Sequence, residues 1–315
     1  MKKRPFIIDC DTGTDDAIAI IAALCSPQVE VKAITSVNGN VNHGYTSRNN
    51  LDLVEYLGLD LPVAKGAVQP IMSGFVQVET TDLTHGRTGM GDLELPRASR
   101  SRFDGRIASQ LIYDMAVELE GELELLVIGP MTNIAVALLQ YPDLPGLVKH
   151  IWFMGGAARG GNVTPTAEFN IWADPEAAQV VIRSGIPMTM VGLDVTEKAI
   201  MVEEDARKLR TAGTREGEVV ALLLEYMFRR RDAGGENALM HDALAFAAAV
   251  CPECLTFEEN FVDVECRGQY TYGHTFVDRR KKTGKAPNVS VALGLDTPAF
   301  RKWLVDTVLN GVQRG

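Results

Sequence analysis

Phe6-Ile7-Ile8-Asp9-Cys10-Asp11-Thr12-Gly13-Thr14-Asp15-Asp16-Ala17 is the stretch on which the reading of this chain turns. Phe6-Ile7-Ile8 is a short apolar run of the kind that forms a buried strand. Asp11-Thr12-Gly13-Thr14 carries turn residues, and Asp15 and Asp16 then open an apolar helix over 17–24. Acidic residues in a first helical turn face the positive end of the helix dipole. Strand, tight turn and helix in that order form the first half of a βαβ unit.

Outward from this stretch the same rhythm recurs. A second strand is expected at 29–37, ending at Asn38-Gly39-Asn40, with a helix over 48–57. A strand at 123–128 runs through Gly129-Pro130 into a helix over 134–140. A strand at 151–154 enters the turn Gly155-Gly156, and a helix over 175–184 leads to a strand at 188–193. Continuous apolar strands alternating with helices predict an α/β fold with a mainly parallel central sheet flanked by helices, a Rossmann-like open sheet. Three stretches break the rhythm: a polar, glycine-containing segment at 66–105, a charged helical region at 203–235, and an alternating, hairpin-like segment at 261–277. An amphipathic helix over 298–312 closes the chain. With no linker, repeat or low-complexity tract, one domain over 1–315 is expected rather than two.

Composition removes several function classes. The chain has 46% hydrophobic and 23% charged residues, an ordinary globular balance. Its 41 acidic against 31 basic residues give a formal net charge of −10, which repels phosphate backbones and argues against a nucleic-acid binder. The longest apolar runs, at 17–25 and 243–251, fall short of the ~18 residues that span a bilayer, so no membrane association is expected. The apolar stretch behind the basic N-terminus stops at Asp9, too early for an export signal. Five scattered cysteines make no disulfide framework. A reduced, cytoplasmic protein follows as the expectation.

In an open α/β sheet, ligands bind beyond the carboxyl ends of the strands. The first strand delivers Asp9, Asp11, Asp15 and Asp16 there, and the second Asn38 and Asn40. The strand at 123–128 delivers the Ile128 carbonyl, and that at 151–154 delivers Met154, with Asn162, Glu168 and Asn170 downstream. His241-Asp242 opens another apolar helix. Asp15 and Asp16 alone would read as helix-capping acids. Four aspartates within eight residues cannot all ionise at close range unless something neutralises them. The helix dipole contributes roughly 0.3–1 kcal/mol per charge, too little for a cluster. A divalent cation is the stronger answer, and hard oxygen donors suggest Ca²⁺ or Mg²⁺ rather than zinc, with Cys10 facing the other way along its strand.

The segment from Ile7 to Ala17 resembles the N-terminal signature of the nucleoside hydrolase family, the inosine–uridine-preferring type. Further segments match in order. They are Val37-Asn38-Gly39-Asn40, His85-Gly86-Arg87-Thr88-Gly89-Met90-Gly91, Gly129-Pro130-Met131-Thr132-Asn133, Met154-Gly155-Gly156, Ala167-Glu168-Phe169-Asn170-Ile171 with Asp174-Pro175-Glu176, and His241-Asp242. The resemblance runs from residue 6 to the C-terminal helix. It implies Ca²⁺-dependent hydrolysis of the N-glycosidic bond of ribonucleosides to free base and ribose. It further implies a small-molecule substrate and a homodimer or homotetramer.

The resemblance implies that Asp11, Asp16, Asp242 and the Ile128 carbonyl hold the Ca²⁺, and that Asp11 is the general base for the attacking water. Asp15, Asn40, Asn162, Glu168 and Asn170 match the ribose-binding residues, Met154 matches a residue packing under the sugar, and Asp9 supports its neighbours. Glycoside cleavage passes through an oxocarbenium-like state, which suits such a ring of carboxylates. His241 is the candidate general acid, since imidazole titrates near ~6.5 in water. His85 lies in the glycine loop flanking the family's site and is a candidate base or 5′ contact. Some family members carry tyrosines before the His-Asp pair. Here 226–237 offers only Tyr226 and Phe228 as aromatics, beside Arg229-Arg230-Arg231, which either face solvent or send one side chain to the base or a 5′ substituent.

Other chemistries fit less well. Cys251-Pro252-Glu253-Cys254, with Cys266 and His274, imitates a zinc site only in its C-x-x-C spacing. The glycines at 155–161 do not form a dinucleotide fingerprint, and no G-x-S-x-G elbow is present. A haloacid-dehalogenase-like phosphohydrolase also starts with a strand ending in D-x-D, but needs a downstream Lys and acidic pair that fit poorly here. A catalytically inactive nucleoside-binding sensor would not need Asp11, Asp16, Asp242 and His241 together.

Overall fold

The structure is a computed structural model that describes residues 2–72, 84–235 and 237–312. In chain order its elements are β1 (Arg4–Cys10), α1 (Thr14–Cys25), β2 (Val29–Ser36), α2 (His43–Tyr56), β3 (Val63–Lys65), α3 (Ala108–Glu118), β4 (Leu123–Val127), α4 (Thr132–Gln140) and β5 (Val148–Met154). There follow α5 (Phe169–Ala173), α6 (Pro175–Ile182), β6 (Met188–Val191), α7 (Leu193–Thr196), α8 (Glu203–Thr211), α9 (Arg215–Asp232) and α10 (His241–Val250). The chain closes with β7 (Leu255–Asn260), β8 (Val262–Val264), β9 (Thr275–Val277), β10 (Val289–Leu295) and α11 (Thr297–Leu309).

Eight strands form one sheet in the order β3-β2-β1-β4-β5-β6-β10-β7. All neighbours pair in parallel except β10 and β7, which are antiparallel. The chain winds outward from β1 to β3, then returns to place β4 on the other side of β1. That reversal is the topological switch point, where the loops leaving β1 and β4 diverge and open a crevice. Register aligns the strand ends: Asp9 pairs with Thr35 of β2 and with Val127 of β4. The ladder continues one step further, through Val37 N–H to Cys10 O and Ile128 N–H to Asp9 O, each at 2.9 Å.

The sheet separates two apolar cores, and alternation along β1 serves both. Phe6, Ile8 and Cys10 face the core shared with α1, α9, α10 and α11, while Ile7 faces the one shared with α3, α4 and α6. Both α1 and α10 are apolar all round and buried, and they pack side by side. The open α/β architecture is therefore as expected, and no helix among the described residues is long and apolar enough to cross a membrane.

Several elements differ from the sequence reading in extent. The helix expected at 48–57 begins at His43, because Asn42 caps it by accepting from Gly44 N–H at 2.8 Å. The charged region at 203–235 is two helices, broken at Gly213, whose φ of +67° favours glycine. The hairpin-like segment is the β8–β9 pair, set apart from the main sheet. Residues 73–83, within the polar segment at 66–105, lie outside the described residues, as does Glu236.

Candidate active site

The crevice at the switch point holds the aspartates. Asp9, Asp11 and Asp16 are completely buried, and Asp15 and Asp242 nearly so. Asp16 lies three residues into the turn opened by Gly13, and its Oδ2 accepts from Gly13 N–H at 2.9 Å. The same oxygen accepts from Asn40 Nδ2 at 2.9 Å, while Asn40 N–H donates to Asp11 Oδ2 at 2.7 Å. Gly39 and Gly129 close over Asp11 from the loops after β2 and β4; a side chain at either position would run into its carboxylate. From the far end of the chain, the packing of α10 on α1 brings in Asp242. One carboxylate oxygen each from Asp15, Asp16 and Asp242 lie within 4.8 Å of one another. Asp11 adjoins this trio, close enough for its charge and that of Asp16 to act on each other.

Such crowding is costly without a counter-charge. Burial first, then the Asp16 charge, pushes the Asp11 carboxyl well above the usual carboxylate range. Burial and Asp15 raise Asp16 to about 7. Asp242 is pushed well up by burial and by Asp15, Asp16 and Asp11. Asp11 Oδ1 and Asp16 Oδ1 are buried with no hydrogen-bond partner among the described residues. Buried polar atoms almost always have partners, so two orphaned oxygens beside a carboxylate trio fit a bound cation. The donors are all oxygen: the Cys10 thiol faces Thr35 O and Asn50 Oδ1, at 3.6 and 3.7 Å. That donor chemistry suits a hard divalent ion. Asp9 lies one layer deeper, where burial raises it to about 7 against hydrogen bonds from Thr35 (2.5 Å) and Asn133 (2.7 Å).

These shifts make a stability prediction for metal-free protein. A carboxyl whose folded pKa lies above its unfolded value of about 4 stabilises the fold below that value, and the contribution is lost as pH rises through the folded pKa. Asp9, Asp16 and Glu168, each raised to about 7, place that loss between about pH 4 and pH 7. In chelator, the melting temperature is expected to fall across this window. A saturating divalent cation should flatten the fall, and a chelator curve that rises or stays level would sink the account.

A cavity of about 300 Å³ opens onto the aspartates. Asp15, Asn40, Asn162, Glu168 and Asn170 line it, with Ile128, Met154, His85, His241 and Asp242. Most sequence-predicted site residues thus meet in one place; Asp11 and Asp16 lie beneath, in the cluster just described. Glu168 caps α5, accepting from Asn170 N–H at 2.9 Å and Ile171 N–H at 3.2 Å, and also from Gly156 N–H at 2.8 Å. Burial nevertheless raises it to about 7. Asn170 Nδ2 donates to the Ile128 and Met154 carbonyls, both at 3.2 Å, tying β4 to β5 across the crevice. Asn162 Oδ1 accepts from Phe169 N–H at 3.0 Å.

The two histidines are held differently. His241 Nδ1 sits 2.8 Å from Thr196 Oγ1 at the end of α7. His85 Nδ1 accepts from Thr14 N–H at 3.1 Å, which leaves its proton on Nε2 when neutral, and lies 3.7 Å from Asp15 Oδ1. Met227, Arg230 and Asn237, from the stretch 226–237 left open as a base contact, also line the cavity, as do Thr84, Val163, Phe169 and Leu239, which the sequence did not single out. The aromatics flagged on α9 do other work: Tyr226 packs against Gly91, and the Phe228 ring lies 5.3 Å under the Arg231 guanidinium. Cys251 and Cys254 bring their sulfurs to 2.8 Å, but among the described residues they join no metal-ligating group with Cys266 and His274.

This geometry has close relatives. The "Pyrimidine-specific ribonucleoside hydrolase RihA" of Escherichia coli O81 (strain ED1a) is 40% identical over 306 residues, 96% of this chain and 97% of that protein. The protein of the same name from Salmonella typhimurium is 42% identical over 300 residues, 94% of this chain and 95% of its own. Among solved structures, the "Purine-Preferring Ribonucleoside Hydrolase from Gardnerella vaginalis" superposes with a TM-score of 0.89 at 33% identity, covering 98% of each chain. The sequence also matches the description "Inosine-uridine preferring nucleoside hydrolase" over residues 6–302. On that match, and on these relatives, the chain belongs to the inosine–uridine-preferring nucleoside hydrolase family.

Proposed function

We propose that the protein hydrolyses the N-glycosidic bond of ribonucleosides, with one Ca²⁺ held by Asp11, Asp16, Asp242 and the Ile128 carbonyl. The observation that carries this reading is the convergence of buried carboxylates with two orphaned oxygens at the base of a polar cavity. Family membership supports it. When bound, the ion offsets the carboxylates' mutual repulsion and polarises a water as a Lewis acid.

The remaining steps belong to the chain's own residues. Asp15, Asn40, Asn162, Glu168 and Asn170 grip the ribose hydroxyls, and Met154 packs under the ring. As the C1′–N bond breaks, its electron pair leaves with the base and positive charge builds on the sugar. The surrounding carboxylates stabilise that charge. Water adds to C1′ and gives a proton to Asp11. The departing base takes a proton from His241, whose Nδ1 is fixed by Thr196 so that Nε2 is left for the substrate. His85 closes the cavity beside Asp15. The same reading takes residues 1–315 as one domain acting in the cytoplasm as a homodimer or homotetramer.

A turnover panel of inosine, adenosine, guanosine, uridine and cytidine, with and without chelator, tests the activity. Base release that stops in chelator and returns with Ca²⁺ is expected, with about one Ca²⁺ per chain by metal analysis. Binding without turnover would replace the enzyme by a sensor. For the acid, His241→Ala should lower kcat on natural nucleosides about 100-fold or more. It should cost p-nitrophenyl riboside far less, since that leaving group needs no proton. Equal losses on both substrates would remove His241 from this role.

A further inference from the structure

The turn that leaves α10 carries two of the chain's five cysteines, Cys251 and Cys254. Cys251 N–H still bonds back to Ala247 O at 2.7 Å, and a single 3₁₀ turn over Pro252–Cys254 follows, with Cys254 N–H on Cys251 O at 3.0 Å. Such a turn places side chains three residues apart over one another. The two sulfurs accordingly meet at 2.8 Å. An S–S bond measures about 2.05 Å, so the thiols stand within about 0.8 Å of bonding distance. Other cysteines are placed differently. Cys10 faces Thr35 and Asn50, and Cys266 turns its sulfur toward Val264 O at 3.7 Å.

The pair is buried beneath a thin cover. Pro252 and Glu253, between the two cysteines, are exposed. Glu253 Oε1 lies 3.4 Å from the Cys251 sulfur. A local opening of this short turn is enough to admit a small reagent. The turn is also a junction. Cys254 leads into β7, and its carbonyl accepts at 2.8 Å from the N–H of Asp296, the residue that caps α11. The exits and entries of α10, β7 and α11 are thus tied at one point.

We propose that Cys251 and Cys254 form a reversible oxidation site, closed to a disulfide by low-molecular-weight disulfides, and that closure locks the exit of α10. One protein thiolate attacks the small disulfide, forms a mixed disulfide and expels one small thiolate. The second attacks the protein sulfur of that mixed disulfide, closes the Cys251–Cys254 bond and expels the other. The protein gives up two electrons to the small disulfide, and its two thiol protons end on the two expelled thiols. Burial pushes the Cys251 thiol up, its contacts with Cys254 and Glu253 push it further, and burial raises Cys254 as well. Closure is therefore slow at neutral pH, because the thiolate is the attacking form. This chemistry is independent of the activity proposed above.

The test equilibrates the full chain at pH 8 in oxidised glutathione, quenches with acid, denatures and counts free thiols. The native chain should fall from five free thiols to three, lose two hydrogen atoms in mass, and map the new bond to Cys251 and Cys254 in its peptides. Dithiothreitol should restore all five thiols. The closed protein should melt at least about 2 °C higher than the reduced one, since the cross-link restricts the unfolded chain. Cys254→Ser should form no such bond and show no such rise. Cys251→Ala asks the same question if the serine variant folds poorly. Cys266→Ser should close and gain stability as the native chain does. Five thiols remaining, a bond mapped to another pair, or closure without a rise in melting temperature would overturn the proposal.

Discussion

Asp11→Ala is expected to lower kcat on uridine at least about a thousandfold while the protein stays folded. General-base catalysis contributes roughly 10²–10⁴-fold, and this carboxylate is also a candidate metal donor, so both losses combine. The position is built around that side chain: Asn40 N–H holds one oxygen at 2.7 Å, the other has no partner among the described residues, and a side chain at Gly39 or Gly129 would run into it. Stability should respond in the opposite sense to activity. Asp11 is buried among like charges, so removing it relieves repulsion in the metal-free state. In chelator at pH 8, the variant should melt no lower than the wild type. Turnover within about tenfold of wild type would take the base role away from Asp11.

The second large effect concerns the sugar. 2′-Deoxyuridine is expected to be at least about a thousandfold poorer than uridine in kcat/KM. Sites built to hydrogen-bond a hydroxyl reject analogues lacking it by about 10⁴–10⁵-fold, because their polar groups are left buried and unpaired. The wall proposed for the sugar is of that kind. Asp15, Glu168 and Asn170 are all buried, and burial alone lifts Glu168 to about 7 despite three backbone N–H donors. Little in this wall can turn to water when a hydroxyl is missing. Comparable turnover of the two substrates would mean that these side chains do not grip the ribose.

The strand-end logic made much of the site legible from sequence. Asp9 to Asp16, Asn40, Ile128 and Met154 follow β1, β2, β4 and β5, which short continuous apolar runs reveal, and an open α/β sheet puts its ligands there. The half of the cavity furnished by α9 was not legible. Arg229-Arg230-Arg231 gives no sign of which residue faces inward, because that depends on the rotation of α9 as it packs on α1 and α8. The sheet's far edge was missed for a related reason. β7 reads Leu-Thr-Phe-Glu-Glu-Asn, and its exposed Glu258 and Glu259 hide the strand pattern. Only its pairing with β10 makes it a strand. α3 escaped notice because it follows the long polar segment and has no side-chain cap to announce it. Tyr226 and Phe228 drew attention as aromatics, yet helix register gave the cavity to Met227 instead.

The meeting of Asp242 with Asp15 and Asp16 has a consequence for how the protein is made. Asp15 and Asp16 leave the ribosome early, whereas their partner lies at the start of α10, and is added only after α1 to α9 have been synthesised. A nascent chain therefore carries its N-terminal acids with no closed cage to receive a cation. Ion capture becomes the mark of a finished polypeptide. A truncated product would keep its aspartates protonated or solvated, and would stay open to proteolysis that the complete, loaded molecule resists.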